Sequence, residues 1–231
     1  MVQSNLVEKA RAFATAKHHG QEGKRPHEPY MQHVHNVVEL LRRHGGTPEV
    51  ITGAYLHDCL EKTDTTIDEL IREFGEEFAE LVYWLTDPED SEGPVKQLLA
   101  TWLLGRAPLS AKLIKLADII DNGQAIRSHE PAKFEEFQRS KRAILERMAS
   151  VEGSTFEQLA LWRRWRSPTK AASRPAVASE LPTIPRRAAA GVQFPACPTM
   201  KVSESVSSRL CTNFHLVESG MGRQPLQADR A

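Results

Sequence analysis

Apolar residues in the first 166 positions recur at intervals of three and four, the spacing of helices that bury one face. This pattern predicts a first helix over residues 4–19 and a second from about Pro29 to His44. The segment GQEGKRPHE at 20–28 separates them, because glycine and proline interrupt helical runs. The apolar side of the second helix is formed by Val34, Val37, Val38, Leu40 and Leu41.

The same spacing predicts six further helices. The third begins with Thr47 as its cap and Pro48 in its first turn, and it carries ITGAYLHDCLE. Asp64 or Thr65 is expected to cap the next helix, TTIDELIREF, which Gly75 separates from EEFAELVYWLT. The remaining helices are expected at 95–105, 109–128 and 131–150. Because no alternating strand pattern of useful length occurs, the predicted fold class is all-α, a multi-helix bundle.

The character of the sequence changes after Trp165. Residues 167–231 hold seven of the 14 prolines, many Ser and Ala, and no sustained periodicity. Such a composition buries too little apolar surface to offset the entropy of ordering the chain. We therefore expect one domain over 1–166 and a disordered tail over 167–231. A small additional domain in the tail is the alternative.

Charge and cysteine content narrow the possible partners and the compartment. The 30 basic and 30 acidic residues balance, which gives no global electrostatic reason to expect binding to nucleic acid or membrane. The N-terminus lacks the apolar core of a signal peptide, and no stretch is apolar enough to span a bilayer. Three cysteines without metal-type spacing fit a reducing compartment. The sequence thus predicts a cytoplasmic protein.

Histidine and aspartate in three separate predicted helices suggest a metal site. His57 and Asp58 are adjacent, and about 100° of helical rotation between neighbours lets both reach one ion. The preceding helix offers His33 or His35, and an apolar helix carries Asp118, whose carboxylate is costly to bury unpaired. Imidazole with carboxylates suits Mn²⁺ or Fe²⁺. The alternative is an ordinary buried hydrogen bond between His57 and Asp58, with Asp118 paired to an arginine.

These segments resemble a known family. The order YMQH, LHDCLEKTDTT, an FGEEF helix ending in LTD, and KLIKLADIIDN is similar to the HD phosphohydrolase superfamily, and within it to the guanosine tetraphosphate (alarmone) hydrolases of the Rel/SpoT and small stand-alone types. The resemblance covers about residues 4–150. It implies an all-helical fold and Mn²⁺, with Fe²⁺ or another divalent metal as alternatives. It selects His33 over His35 by a Pro-Tyr-x-x-His string, and it implies the ligands His33, His57, Asp58 and Asp118.

Glu61 is the candidate for activating water. It follows His57 by four residues, so on one helix it would lie on the same face about one turn away. A solvated glutamate at a helix end is the alternative. In the resembled hydrolases this position begins a catalytic Glu-Asp pair, but here the second member is Lys62. Lys62 is therefore expected to weaken hydrolysis, to shift the substrate, or to be a surface lysine paired with Asp58 or Asp64.

Three residues are candidates for binding substrate. Lys24 and Arg25 occupy the position of the family's nucleotide-contacting basic pair, and Asn122 matches an asparagine that contacts ribose. Ordinary loop charges, and a helix cap at Asn122-Gly123, are the alternatives. His27 stands where the family usually has glycine, which leaves the path of this loop open.

The resemblance implies a guanosine-3′,5′-bis(diphosphate) 3′-pyrophosphohydrolase without a synthetase domain, with guanosine tetraphosphate as the nucleotide substrate. Two alternatives keep the metal site: a degenerate HD domain that senses nucleotide, and a phosphohydrolase for another nucleotide. A third alternative is a purely structural helical module. The oligomeric state does not follow from the sequence.

Overall fold

The computed structural model describes residues 2–87 and 93–152, and side chains within 5–87 and 100–149. Over these residues it confirms the predicted all-α class: helices form a bundle, and the described part of the chain has no β-strand. The helices are α1 (Val2–Lys17), α2 (Tyr30–Arg43), α3 (Pro48–Leu56), α4 (Cys59–Lys62), α5 (Ile67–Phe74), α6 (Glu76–Leu85), α7 (Gly93–Arg106), α8 (Leu109–His129) and α9 (Pro131–Glu152).

Helix α3 lies at the centre of the bundle. Every residue from Val50 to Leu56 is buried, so the helix has no solvent-facing side. It packs against α1, α2, α6 and α8, and α8 in turn packs against α2 and α9. A short helix that is apolar all round can be stable only when neighbours cover it on every side. The C-terminal end of α3 therefore delivers its side chains to the interior between α2 and α8.

Threonines cap two of the helices. The Thr47 hydroxyl accepts a hydrogen bond from the Val50 amide at 3.4 Å, which confirms the predicted start of α3. The prediction for α5 was wrong, because its cap is Thr66, whose hydroxyl accepts from the Glu69 amide at 3.2 Å. Asp64 forms an ion pair with Lys17 on α1 instead, so its carboxylate is engaged away from the helix start.

The segment predicted as one helix through His57 and Asp58 is divided in two. Helix α3 ends at Leu56, α4 begins at Cys59, and Asp58 between them has φ −105° and ψ 1°, outside helical values. His57 Nδ1 lies 2.8 Å from the Ala54 carbonyl oxygen, so the side chain supplies a hydrogen bond where the helix ends. His57 and Asp58 consequently occupy a bend, and Glu61 belongs to a different helix from the one that precedes His57.

A closed loop connects α1 to α2. The Tyr30 amide donates to the Gln21 carbonyl at 2.9 Å, and the Gly23 amide donates to the Glu28 carbonyl at 2.8 Å. A Cβ added at Gly23 would lie 3.2 Å from that carbonyl oxygen, so the close approach of the two sides favours glycine. This loop carries Lys24 and Arg25 and holds them against α8.

Two predictions concern residues outside the described ranges. The tail over 167–231 lies there, so its disorder and the domain boundary at 166 stay predictions. Within the described ranges, no helix is both long enough and apolar enough to cross a membrane.

Gly53 allows α3 to approach α6 and α8, and we expect Gly53→Ala to destabilise the fold. An added Cβ would lie 2.5 Å from Leu81 Cδ2 and 3.0 Å from Ile114 Cδ1, inside the core. Overpacking costs about 1–3 kcal/mol, partly offset by the higher helix propensity of alanine, about 1 kcal/mol. Urea unfolding should show a net loss of up to about 2 kcal/mol.

Gly105→Ala is the matched control for this change, because the nearest atoms there belong to the flexible side chain of Arg147. It should cost less than Gly53→Ala. Equal losses at the two positions would contradict the packing explanation.

Candidate metal centre

Three of the predicted ligands converge between α2, the α3–α4 bend and α8. His33, His57 and Asp58 each offer one ligand atom, and these atoms all lie within 4.8 Å of one another. His57 Nε2 is 3.1 Å from Asp58 Oδ2, and His33 Nε2 is 3.7 Å from the same oxygen. All three residues are at most 9% exposed. The structure thus brings together residues that are 24 and 25 positions apart in the sequence.

Asp118 lies beside this cluster on α8. Its Oδ1 is 3.4 Å from His33 Nε2 and accepts a hydrogen bond from Asn122 Nδ2 at 2.5 Å. Its Oδ2 is 3.6 Å from Lys115 Nζ. Asp118 is 8% exposed, so its charge is buried next to His33 as well as Lys115. The alternative predicted an arginine partner for Asp118, but the structure pairs Asp118 with Lys115.

The outer nitrogen of each histidine is already engaged. His33 Nδ1 lies 2.8 Å from Asp121 Oδ2, and His57 Nδ1 lies 2.8 Å from the Ala54 carbonyl. Both partners are acceptors, so each Nδ1 carries the hydrogen and donates it. In the neutral imidazole this leaves a lone pair on the inward Nε2. The tautomer that both rings adopt is the one that metal coordination through Nε2 requires.

The inward atoms therefore face one another as acceptors. His57 Nε2 is completely buried and has no hydrogen-bond partner, although Asp58 Oδ2 is only 3.1 Å away. Two lone pairs at this separation repel unless a proton or a cation lies between them. A divalent cation satisfies all the inward nitrogens and oxygens together, so the residues present fit a metal ion.

Without a cation, the cluster holds protons instead. Burial alone lowers the pKa of His33, but its hydrogen bonds to Asp118 and Asp121 outweigh burial and raise this pKa to about 9. Burial raises the pKa of Asp58, but the neighbouring histidines outweigh it and hold this pKa well below its usual value. Protonated His33 thus balances the charge of the neighbouring carboxylates, which would otherwise repel one another. A metal must displace these protons, so its binding is coupled to pH.

His35 has a different environment from His33. Its ring packs edge-on against Tyr55, with 6.0 Å between ring centroids. Residues two apart on a helix point in different directions, so α2 can direct only one of these histidines to the cluster. The spacing in the sequence left both histidines possible, and in the structure His33 is the one that lies in the cluster.

The sequence analysis missed Tyr30. Its hydroxyl donates to Asp58 Oδ2 at 2.5 Å, and its ring stacks on His18 with 4.8 Å between centroids. Burial, followed by the charge of Asp58, raises the pKa of Tyr30, which keeps the hydroxyl protonated as a donor. Tyr30 precedes His33 by three residues at the start of α2, and that spacing was the available signal.

Asp121 and Lys115 were also missed, and both lie on α8 with Asp118. The side chain of Asp121 is 5% exposed, and it accepts hydrogen bonds from α2 and from the α1–α2 loop. Burial lowers the pKa of Lys115, but Asp118 and the other nearby carboxylates outweigh it and raise this pKa. Positions 115, 118 and 121 are spaced by three, so they share one side of α8. This polar stripe in an apolar helix was the signal.

The three predicted substrate-binding residues meet at one pocket beside His33. Lys24 Nζ donates to Asn122 Oδ1 at 2.8 Å, and Arg25 makes a two-pronged ion pair with Asp121 at 2.7 and 3.1 Å. Helix α8 continues to His129, so the alternative of a helix cap at Asn122 was wrong. The pocket is lined by Gly23, Lys24, Arg25, Glu28, Pro29, Tyr30, His33, Asp121, Asn122 and Ala125.

His27, at the tip of the same loop, has φ 61°. This left-handed conformation costs a non-glycine residue about 1–2 kcal/mol. The loop therefore follows a path that suits glycine, although histidine stands at this position. The path of the loop, which the sequence left open at His27, is thus given by the structure.

Glu61 and Lys62 form an ion pair with each other on α4. The structure does not pair Lys62 with Asp58 or Asp64. Glu61 is partly buried and lies close enough to Tyr30 and Lys115 to raise the pKa of each. The carboxylate considered for water activation thus lies at the edge of the cluster, with its charge balanced by Lys62.

The sequence of the chain is similar to those of known proteins. A family model described as "HD domain" matches residues 10–154. The chain is 32% identical over 132 residues to guanosine-3′,5′-bis(diphosphate) 3′-pyrophosphohydrolase MESH1 of Drosophila melanogaster, covering 56% of this chain and 74% of the relative. It is 38% identical over 123 residues to the guanosine-3′,5′-bis(diphosphate) 3′-pyrophosphohydrolase of Aquifex aeolicus, covering 50% of this chain but only 17% of that relative.

A solved structure of a metazoan ortholog of SpoT resembles this fold with a TM-score of 0.59. The match covers 69% of this chain and 94% of the other, at 24% sequence identity. At this identity the similarity supports the helical fold. It agrees with the bundle described above.

We predict that Mn²⁺ stabilises the metal-free protein and that His33→Ala abolishes the effect. A ligand that binds only the folded state at about 100 times its Kd adds about 2.7 kcal/mol. The melting temperature of wild type should therefore rise by several degrees in excess Mn²⁺, and differential scanning calorimetry can measure the rise. His35→Ala is the matched control, since it removes a histidine two residues away that lies outside the cluster. An equal Mn²⁺ response in both variants would refute the assigned site.

Proposed function

Since the chain belongs to the HD domain family, we propose that it is a metal-dependent phosphohydrolase that releases pyrophosphate from the 3′ position of guanosine tetraphosphate or pentaphosphate. The observation that carries the proposal is the set of inward acceptor atoms, with the orphaned His57 Nε2 among them, next to a pocket lined by Lys24 and Arg25. The relatives named for this activity supply the substrate class.

The proposed ligands are His33, His57, Asp58 and Asp118, with Mn²⁺ as the metal and Fe²⁺ as an alternative. Two imidazole nitrogens with carboxylate oxygens suit such a borderline-to-hard ion. When bound, a divalent ion of this kind polarises a phosphoryl oxygen and lowers the pKa of water. The protein's own contribution is to hold the ligand atoms in place: Tyr30 fixes Asp58, and Asn122 fixes Asp118.

The proposed nucleotide site is the pocket at the α1–α2 loop. Lys24 supplies a cation at its mouth, and Asn122 supplies an amide that can exchange its bond to Lys24 for bonds to a ribose hydroxyl. Charge-assisted hydrogen bonds to phosphate contribute about 1.5–3 kcal/mol each. The pocket adjoins His33, so a phosphate group anchored there lies next to the cluster.

In the proposed hydrolysis, water forms a bond to the 3′-linked phosphorus and the ester bond to the ribose oxygen breaks. The released 3′ oxygen takes a proton from solvent. The products are pyrophosphate and guanosine diphosphate, or guanosine triphosphate when the substrate is the pentaphosphate. Glu61 is the proposed acceptor of the water proton, and the partly buried Lys115 offsets the negative charge of the phosphates beside Asp118. Lys62 forms an ion pair with the Glu61 carboxylate, so the water must compete with this lysine for contact with Glu61.

The same ion pair supports the second candidate function, a nucleotide sensor that binds without rapid turnover. The ion pair with Lys62 occupies the Glu61 carboxylate that would act on water, while the metal ligands and the pocket stay intact. Turnover measurements separate the two functions, because both predict metal and nucleotide binding.

We predict that purified protein with Mn²⁺ releases pyrophosphate from guanosine tetraphosphate, and that His57→Ala and Asp118→Asn lower kcat/KM by at least ~10²-fold. Changes to groups that only support metal ligands already cost about 10–100-fold in affinity or activity. Pyrophosphate release and nucleotide chromatography provide the measurement. His35→Ala should keep the wild-type rate. Nucleotide binding without turnover would favour the sensor, and release from other nucleoside phosphates alone would redirect the substrate assignment.

We predict that Lys62→Asp raises kcat for guanosine tetraphosphate in Mn²⁺. The change frees Glu61 from its ion pair and adds a second carboxylate, and positioned proton acceptors are typically worth ~10²–10⁴ in rate. Lys62→Ala frees Glu61 without adding an acid, so it should give a smaller increase. The Lys62 carbonyl, which accepts from Gln21 Nε2 at 2.8 Å, is retained in both variants.

Steady-state kinetics of the Lys62 variants on several nucleotides tests this prediction. A higher KM with unchanged kcat would show that Lys62 binds substrate phosphate. No effect of either substitution on any nucleotide would show that Lys62 has no functional role.

A further inference from the structure

Asp121 forms a hydrogen-bonded connection between the metal cluster and the nucleotide pocket. Its Oδ2 accepts from His33 Nδ1 at 2.8 Å and from Arg25 at 3.1 Å. Its Oδ1 accepts from Arg25 at 2.7 Å and from Asn36 Nδ2 at 3.2 Å. One carboxylate therefore joins α8, α2 and the α1–α2 loop, and its side chain is only 5% exposed.

We propose that Asp121 is a positioning residue that holds His33 in its metal-binding tautomer and orientation, and that Arg25 in turn holds Asp121. Asp121 touches neither the inward ligand atoms nor the center of the cluster. It acts through His33, whose Nδ1 hydrogen it accepts, so that Nε2 faces Asp58 and Asp118. This inference rests on the proposed metal-dependent function.

The geometry explains why Arg25 matters to this role. His33 and Asn36 each contact one oxygen of Asp121, whereas the Arg25 guanidinium contacts both oxygens and fixes the plane of the carboxylate. Lysine at position 25 would keep the charge and lose this two-pronged contact. The α1–α2 loop thus helps to orient the metal site and also lines the pocket.

The two cations of the α1–α2 loop, Lys24 and Arg25, have different partners. Arg25 forms an ion pair with Asp121 and its side chain is 17% exposed, whereas among the described residues Lys24 hydrogen-bonds only to the amide oxygen of Asn122. Lys24 is thus the cation available to substrate phosphate. Substitution of Arg25 should affect metal affinity, and substitution of Lys24 should affect KM.

The test is direct Mn²⁺ titration of the full chain by isothermal titration calorimetry. Asp121→Ala should weaken Mn²⁺ binding by about 10–100-fold, the usual effect of removing the partner of a metal-bound histidine. Asp121→Asn keeps an oxygen that can accept from His33 Nδ1, and should fall between wild type and Asp121→Ala. Equal losses in the two variants would indicate a simple charge effect and overturn the proposal.

Arg25→Lys should weaken Mn²⁺ binding several-fold in the wild-type background and not at all in the Asp121→Ala background. This non-additivity is the signature of two residues acting in series. Additive effects, or wild-type affinity in Arg25→Lys, would overturn the role of Arg25.

Glu39→Ala is the control, since it removes a half-exposed carboxylate from the same helix as His33 and should leave Mn²⁺ affinity unchanged. Circular dichroism establishes that each variant is folded, and Arg25→Lys tests the connection even where Asp121→Ala does not fold. Failure of wild type to bind Mn²⁺ would refute the proposed function itself. Wild-type binding with undiminished binding by folded Asp121→Ala would refute the positioning role alone.

Discussion

The site depends on a mutual repulsion among buried acceptor atoms. His33 and His57 each donate outward through Nδ1, so in the neutral rings the lone pairs of the inward Nε2 atoms face the carboxylate of Asp58. Such an arrangement is unfavourable in a buried interior unless protons or a cation occupy it. The rest of the bundle provides the rigid packing that keeps these atoms together despite that repulsion.

Several elements share this task. Helix α3 is buried on all sides and ends where His57 begins, so the bend at Asp58 is placed by packing rather than by loop chemistry. Helix α8 contributes Asp118 and, one turn later, Asp121, whose bonds hold His33 from its outer side. Tyr30 holds Asp58 from the start of α2. His33 and Asp58 are thus held by partners on other elements, whereas His57 and Asp118 are held by residues three and four positions away. Such supporting hydrogen bonds are how proteins orient metal ligands.

Hydrogen bonds connect the metal cluster to the proposed nucleotide pocket. The α1–α2 loop is fastened to α8 by Lys24–Asn122 and Arg25–Asp121, and both acceptor residues also contact the cluster. Nucleotide groups entering the pocket must compete with these contacts. Binding free energies at two sites that share residues are reciprocal, so metal and nucleotide are expected to alter each other's affinity.

The sequence by itself determined the all-helical class, most helix positions and the four candidate ligands. Helical periodicity reports which faces are apolar, and the order of the motifs carried the family resemblance. Tertiary structure decided where the predicted third helix breaks, which the spacing of apolar residues does not specify. It placed the α3–α4 break at Asp58, because the packing of α3 and the bond from the His57 side chain to Ala54 end the helix just before it.

Tertiary structure also decided the partners of each charge. Glu61 pairs with Lys62, Arg25 with Asp121, and Tyr30 with Asp58, and two of these pairs join residues far apart in the sequence. A hydrogen bond between residues 28 or 96 positions apart depends on how helices pack, which the periodicity of a single helix does not specify. The candidate ligands could therefore be predicted from the sequence, whereas the residues that orient them were set by the packing of α2 and α8 around the buried end of α3.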